Sequence, residues 1–269
     1  MFWSQGLETA PDLVRRCHES WVLRNPNWRI RMLDGRDLAG LGLRDYGAPS
    51  LVAQSPNHLS DLLRLDLLAA HGGIWADATC YCMRPLDEWL PDLAAPSGFF
   101  AFARPGPDRL LSSWFLAAQP DNHLVTRLRD WLADHWSRPF KTARGDAGGA
   151  IDRLLISSPR RRALWFSRPV RDWLGADPYF AFHYAFERLV RSHPECRTIW
   201  ARTPKVSADG PHRLQAVGLR SPLSTEIARE IDDAAEPLYK LTWKQGPEPA
   251  PPGSVLAYLL NAGVTAPSE

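Results

Sequence analysis

Cysteine is scarce in this chain, with four in 269 residues at positions 17, 80, 82 and 196. That number is too low for a dense disulfide framework, and the spacing is not that of paired C-x-x-C zinc ligands. The thiols are expected to be reduced. Cys80 and Cys82 fall on one side of a short predicted strand, where small buried hydrophobes are the ordinary explanation and metal ligation the rarer one. Charge of one sign is scarce too: the formal net charge is +2, which argues against a nucleic-acid partner. The arginines are scattered except for Arg160-Arg161-Arg162, expected as solvated surface. Long apolar runs are missing, since even residues 60–76 are broken by charges, and the amino end does not read as a signal peptide. A cytoplasmic protein is expected, with peripheral attachment to the inner membrane face left open. No internal repeat is evident.

What is present is ordinary in bulk, with 45% hydrophobic and 23% charged residues, and long enough for one large domain with a substantial core. Twelve tryptophans are unusual. Some must lie in the core, yet aromatic faces also suit bases and sugar rings.

The most informative stretch runs from Leu59 to Thr79. Ser60 reads as an N-cap, placing Asp61 in the first turn of a helix, where a carboxylate complements the dipole. Asp61 and Arg64, three apart, share one face, and Leu63, Leu67 and Ala70 mark the opposite stripe. Gly72 ends the helix and lets the chain turn into Ile74-Trp75-Ala76, a buried strand with Asp77 at its carboxyl end. In open α/β sheets ligands collect just outside such strand ends. Singly, Asp61 and Arg64 read equally well as a surface ion pair and Asp77 as a turn cap; the ordered block reads as a site for a phosphorylated ligand.

Elsewhere the pattern alternates. Pro11 opens a helix carrying Leu13, Val14, Cys17 and Trp21, closed by Asn25-Pro26, and Trp28 to Met32 alternates as a half-buried strand should. Phe99 to Ala103 reads as a buried strand. Asp121 is expected to cap a helix with Leu124, Val125, Leu128, Trp131, Leu132 and His135 on one stripe. A further helix over Tyr179 to Ser192 places His183 on an apolar stripe, more as a core histidine than a metal ligand. Ser224 or Thr225 starts a helix with Ile227 and Ile231, followed by a strand from Leu238 to Trp243. The expected organisation is a domain over residues 1–245, then a tail over 246–269 made of a proline-rich linker and a short docking segment, Val255 to Leu260. The alternation predicts an α/β fold with a mainly parallel central sheet flanked by helices.

The block resembles the donor-site core of glycosyltransferase family 32 and of the related bacterial capsular polysaccharide synthesis proteins, in which an "SD-x-L-R … GG-x-W/Y-x-D-x-D/T" pattern carries an aspartate-any-aspartate metal motif. Flanking matches support it: Phe2-Trp3-Ser4-Gln5-Gly6, Ala10-Pro11, Cys17, Ser20-Trp21, Asn25-Pro26, Leu33-Asp34, Ser112-Ser113-Trp114-Phe115, Tyr179 to His183 and Lys240-Leu241-Thr242. The resemblance implies a GT-A nucleotide-sugar fold. It also implies that Asp77, Asp61 and Arg64 are catalytic and converge on one pocket, the aspartate at 61 accepting from sugar hydroxyls and the arginine presenting a planar fork to sugar or phosphate oxygens.

By the same resemblance Trp3 stacks on the base and Gln5 lies beside the donor, while Ser113 and Trp114 line the sugar pocket. Lys240, Thr242 and Lys244, on one face by alternation, would meet the diphosphate; an exposed lysine-bearing edge is the plain alternative. A divalent ion, manganese or magnesium, is implied at Asp77 and Thr79, with His212 a weak additional ligand. Thr79 departs from the aspartate-any-aspartate motif, since a hydroxyl replaces the second carboxylate, although the resembling capsular proteins often read D-A-T there.

The expected function is therefore a retaining glycosyltransferase moving a sugar from a UDP- or GDP-sugar to a saccharide acceptor in capsular or surface polysaccharide synthesis. A tailoring glycosyltransferase of a small natural product, or a noncatalytic sugar-nucleotide binder, is the alternative.

Overall fold

The computed structural model describes residues 1–41, 56–137, 155, 157–170, 178–244, 246 and 249–262. In chain order its longer elements are α1 (Asp12–Arg24), α2 (Pro56–His71), β1 (Gly73–Ala76), β2 (Cys80–Cys82), β3 (Phe99–Gly106), β4 (Arg109–Ala118), α3 (His123–Ser137), α4 (Ala181–Ser192), α5 (Pro194–Arg202), α6 (Asp209–Val217), α7 (Thr225–Asp232), β5 (Leu238–Lys240) and α8 (Val255–Ala262). They form two compact units, one of Met1–Gly42, Ala76–Leu93 and Ala208–Glu269, the other of Leu43–Trp75 and Ala94–Ser207.

In the first unit, α1 buries the predicted stripe of Leu13, Val14, Cys17 and Trp21. Asn25 stops it: its N–H donates to the Trp21 carbonyl at 3.1 Å, and its Oδ1 accepts from Leu86 N at 2.7 Å. Trp21 Nε1 donates to the Cys80 carbonyl at 2.8 Å, and Ser20 Oγ accepts from Cys82 N at 2.8 Å, so α1 holds one edge of β2. The other edge pairs antiparallel with β5, Cys80 opposite Lys240 and Cys82 opposite Leu238. Burial pushes the Cys82 thiol up to about 12, which makes it an inert hydrophobe rather than a ligand. Ser224 caps α7 by accepting from Ile227 N at 3.2 Å, and Ile227, Ile231, Leu214, Tyr239 and Leu241 pack into the same core as Val255, Leu256 and Leu259 of α8. Residues 247, 248 and 263–269 of the expected tail lie outside the described residues.

In the second unit α2 ends at Gly72, whose N–H donates to the Leu68 carbonyl at 2.9 Å with φ +65°. A Cβ there would lie 2.5 Å from Pro120 Cδ, so both conformation and space require glycine. The sheet order is β1-β4-β3, and β3 with β4 forms a hairpin running from Phe99 opposite Ala118 to Gly106 opposite Arg109. Phe100, Phe102 and Phe115 fill its buried side.

Several expectations are corrected. A mainly parallel sheet is not seen among the described residues, where β3–β4 and β2–β5 are antiparallel. Pro107 and Asp108 alone connect β3 to β4, and so short a link permits only antiparallel return. Isolated parallel bridges join Phe2 to Leu33 and Ala103 to Ser207. Residues 28–32 form no strand, because Trp28 turns outward to donate its Nε1 to Asp87 Oδ1 at 3.1 Å. Ser60 is not a cap, since α2 begins at Pro56. The α3 cap is Asn122, whose Oδ1 accepts from Leu124 N at 3.2 Å, while Asp121 takes φ +55° just before it. Within the arginine run, Arg162 is buried and bonds Glu187 at 2.7 and 3.0 Å.

Candidate functional site

Asp77 and Thr79 belong to a turn closed by Cys80 N donating to the Asp77 carbonyl at 2.9 Å. The turn is fixed on both sides by apolar burial, Trp75 and Ala76 before it and Cys80 after it. Opposite, Lys240 is flanked by the fully buried Tyr239 and Leu241, and its carbonyl accepts from Gln215 Nε2 at 2.6 Å. Leu241 N donates to the Thr79 carbonyl at 2.8 Å, which extends the β2–β5 pairing to the turn. The Lys240 ammonium then reaches Thr79 Oγ1 at 2.5 Å and the Leu241 carbonyl at 3.2 Å, and stands 3.9 Å from Asp77 Oδ2. The Lys240 and Asp77 side chains retain 17% and 30% of their exposure, so solvent and ligands still reach this cluster.

The same unit places other expected residues. Thr242, half-buried beyond the end of β5, lines an open cleft of about 460 Å³ with Gln215, Gly218, Leu219, Arg220 and Ser221. A cleft of that volume is in the range of small-molecule sites. Trp3 meets the exposed Trp243 edge to face, with ring centroids 6.0 Å apart, and the Lys244 ammonium lies 5.5 Å from the Trp243 ring. Gln5 is exposed, its Oε1 accepting from Ser4 Oγ at 2.9 Å. His212 lies within helix α6 rather than on a loop.

Asp61 and Arg64 belong to the second unit. Their ion pair measures 3.2 Å, as expected from spacing, but Arg64 is not a presented fork. Its guanidinium is only 6% exposed, and it donates to the Ser113 carbonyl at 2.6 Å, the Ser60 carbonyl at 3.2 Å and Ser60 Oγ at 3.1 Å. It also lies 5.2 Å from the Trp75 ring and 5.6 Å from that of Phe182. Arg64 therefore holds other groups, Asp61 among them, from inside the core. Ser113 contributes its main-chain oxygen, and Trp114 is buried and stacked on Phe102 at 5.2 Å. His183 is half-buried between the Phe180 and Phe182 rings, with its Nδ1 buried and unbonded. Desolvation, reinforced by Arg109 and Arg64, lowers its pKa to about 3 against the opposing pull of Asp108.

The family model for capsular polysaccharide synthesis proteins matches residues 1–143, more than half of the chain. The chain belongs to that family. This capsular-synthesis family member is 31% identical over 150 residues to the O-glycosyltransferase braB of Annulohypoxylon truncatum, covering 49% of this chain and 35% of that protein. It is 32% identical over 226 residues to the glycosyltransferase afumC of Aspergillus fumigatus, covering 74% and 55%. It thus spans only part of the length of these relatives. Among solved structures, the PaToxG glycosyltransferase aligns with a TM-score of 0.40 at 12% identity, covering 76% of this chain and 83% of that one.

The divalent ion that the resemblance implies can be weighed against the residues present. Thr79 Oγ1 already accepts from an ammonium that also approaches Asp77. An ion bound by both side chains would press against that like charge, and it would find a single carboxylate there. Among the described residues no three His, Cys, Asp or Glu side chains gather as a ligand set. The donor set at Asp77, Thr79 and His212 does not suit a resident magnesium or manganese ion. Gln215 was missed in the sequence because nothing local marks it: its amide meets a carbonyl 25 residues away.

Proposed function

We propose that this capsular-synthesis family member transfers a sugar from a nucleotide-diphosphate donor to a hydroxyl oxygen, with a GT-A-type fold and retention of anomeric configuration. The observation that carries the reading is the D-A-T turn of a family member held against a lysine at an accessible edge, with an open cleft of about 460 Å³ beside it at Thr242. In the reaction the bond from the anomeric carbon to the phosphate oxygen breaks and a bond from that carbon to the acceptor oxygen forms. The acceptor's hydroxyl proton passes to the leaving phosphate, which needs no dedicated general base.

Each residue then has a part. Asp77 accepts from the ribose or the sugar, Lys240 and Thr242 meet the diphosphate, and Trp3 with Trp243 offers aromatic surface to the base. The family model, described as capsular polysaccharide synthesis, favours a saccharide acceptor. The relatives' names favour a small-molecule hydroxyl, and this is the second reading. Incubation with a panel of UDP- and GDP-sugars, with and without each acceptor class, should release free nucleotide and name donor and acceptor together. If no sugar nucleotide is turned over, the transferase reading fails.

A further inference from the structure

We infer that Lys240 is the built-in counter-charge for the donor's phosphates, standing where a divalent ion would otherwise bridge the D-A-T turn to the diphosphate. The inference rests on the transferase reading and deepens it by assigning the cation that the leaving group meets.

A nucleotide diphosphate gathers negative charge as it leaves, and a fixed cation at its oxygens lowers that barrier. Lys240 meets the geometric requirements. Its backbone is clamped by Gln215 and by the Cys80 register, and its neighbours Tyr239 and Leu241 are fully buried, so the aminobutyl chain starts from a rigid point. Two of its three ammonium hydrogens are used, on Thr79 Oγ1 and the Leu241 carbonyl. Among the described residues the third points to no acceptor within hydrogen-bond distance, since Asp77 Oδ2 is 3.9 Å away. A phosphate oxygen entering at this partly exposed edge would take that third bond. Thr79 acquires a purpose under this arrangement. A second carboxylate at position 79 would bind the ammonium as a closed ion pair and spend its charge, whereas a hydroxyl orients it and leaves the charge available. The substitution that weakens a metal site is the one that a lysine site requires.

The test uses the full chain, with UDP and GDP as probes in calorimetry and sugar-nucleotide turnover as a second readout, each in EDTA and in Mn²⁺. The wild type should bind its nucleotide as tightly in EDTA as in Mn²⁺ and turn over its donor in both. Lys240→Met should keep its thermal unfolding midpoint and lose about 10- to 100-fold in nucleotide affinity, the effect of removing one hydrogen bond from a charged donor, and Lys240→Arg should recover much of it. The double variant T79D/K240M should gain measurable Mn²⁺ binding by electron paramagnetic resonance and bind nucleotide better with the metal than without it. Wild-type binding or turnover that EDTA abolishes and Mn²⁺ restores, or K240M with unchanged affinity, overturns the inference and leaves the transferase reading intact. Metal-independent, Lys240-dependent nucleotide binding without turnover of any sugar nucleotide upholds the inference on the cation and retires the transferase. Absence of UDP and GDP binding under all conditions overturns both.

Discussion

Two charged clusters carry the residues singled out by the central block, and they are built in opposite ways. Around Arg64 every guanidinium nitrogen is bonded to protein, the side chain is buried, and aromatic rings lie beside it. Around Lys240 the ammonium makes two hydrogen bonds, the partner carboxylate stands just out of hydrogen-bond range, and both side chains keep contact with solvent. A satisfied buried charge stabilises an arrangement, while a partly satisfied, accessible one is available to a ligand. Removing a residue from the first cluster should cost stability, and from the second, function.

The sharpest way to break this contrast is Arg64→Ala. It removes the guanidinium shared by Asp61, Ser60 and the Ser113 carbonyl in a poorly hydrated setting, and should lower unfolding free energy by about 3–5 kcal/mol, read from urea denaturation. A loss under 1 kcal/mol would show the cluster to be looser than its geometry. Asp77→Asn tests the other side. It should reduce nucleotide release from the sugar donor by roughly 100-fold or more, as for loss of one preorganised polar group at a reacting centre, with the urea midpoint unchanged. Equal losses of stability in the two variants would erase the distinction.

pH separates the clusters next. The folded-state pKa of His183 is lowered to about 3 from an ordinary 6.5, so between those values the unfolded chain binds the proton and the folded chain does not. Stability from this group is present above about pH 6.5 and is lost as pH falls toward 3. The unfolding free energy should drop by about 2 kcal/mol between pH 7 and pH 5, and His183→Phe should flatten the drop. A wild-type profile that His183→Phe leaves unchanged would place the titration elsewhere. The smallest effect is expected at Ser224→Ala, which removes the α7 cap in the unit that carries Asp77. It should cost about 1 kcal/mol in thermal or urea unfolding and leave nucleotide release unaltered, giving a pure stability loss beside which Asp77→Asn can be judged.

Much of the local structure was legible in the chain. The apolar spacing of Leu13, Val14, Cys17 and Trp21 marked α1, and the glycine pair marked the end of α2. Ser224 was offered as a cap and is one. The misreadings share a cause. Alternation at residues 28–32 describes a strand only if a neighbouring strand accepts it, and Trp28 instead bonds Asp87. Asp121 and Asn122 are both good caps, and which is used depends on where Asp121 turns to φ +55°. Of the twelve tryptophans, Trp21, Trp75, Trp89, Trp114, Trp136, Trp165 and Trp200 are buried, so the surplus builds core more than it builds ligand surface.

By itself the sequence determined the family, the helix stripes and the i,i+3 pairing of Asp61 with Arg64, because period, capping and short spacing act through neighbours along the chain. Tertiary structure alone decided the hand of the sheet pairings, the burial of Arg64 and the meeting of Lys240 with Thr79 across 161 residues. Those outcomes depend on which surfaces share a core and on how much water each charge keeps, and neither is written in the order of residues.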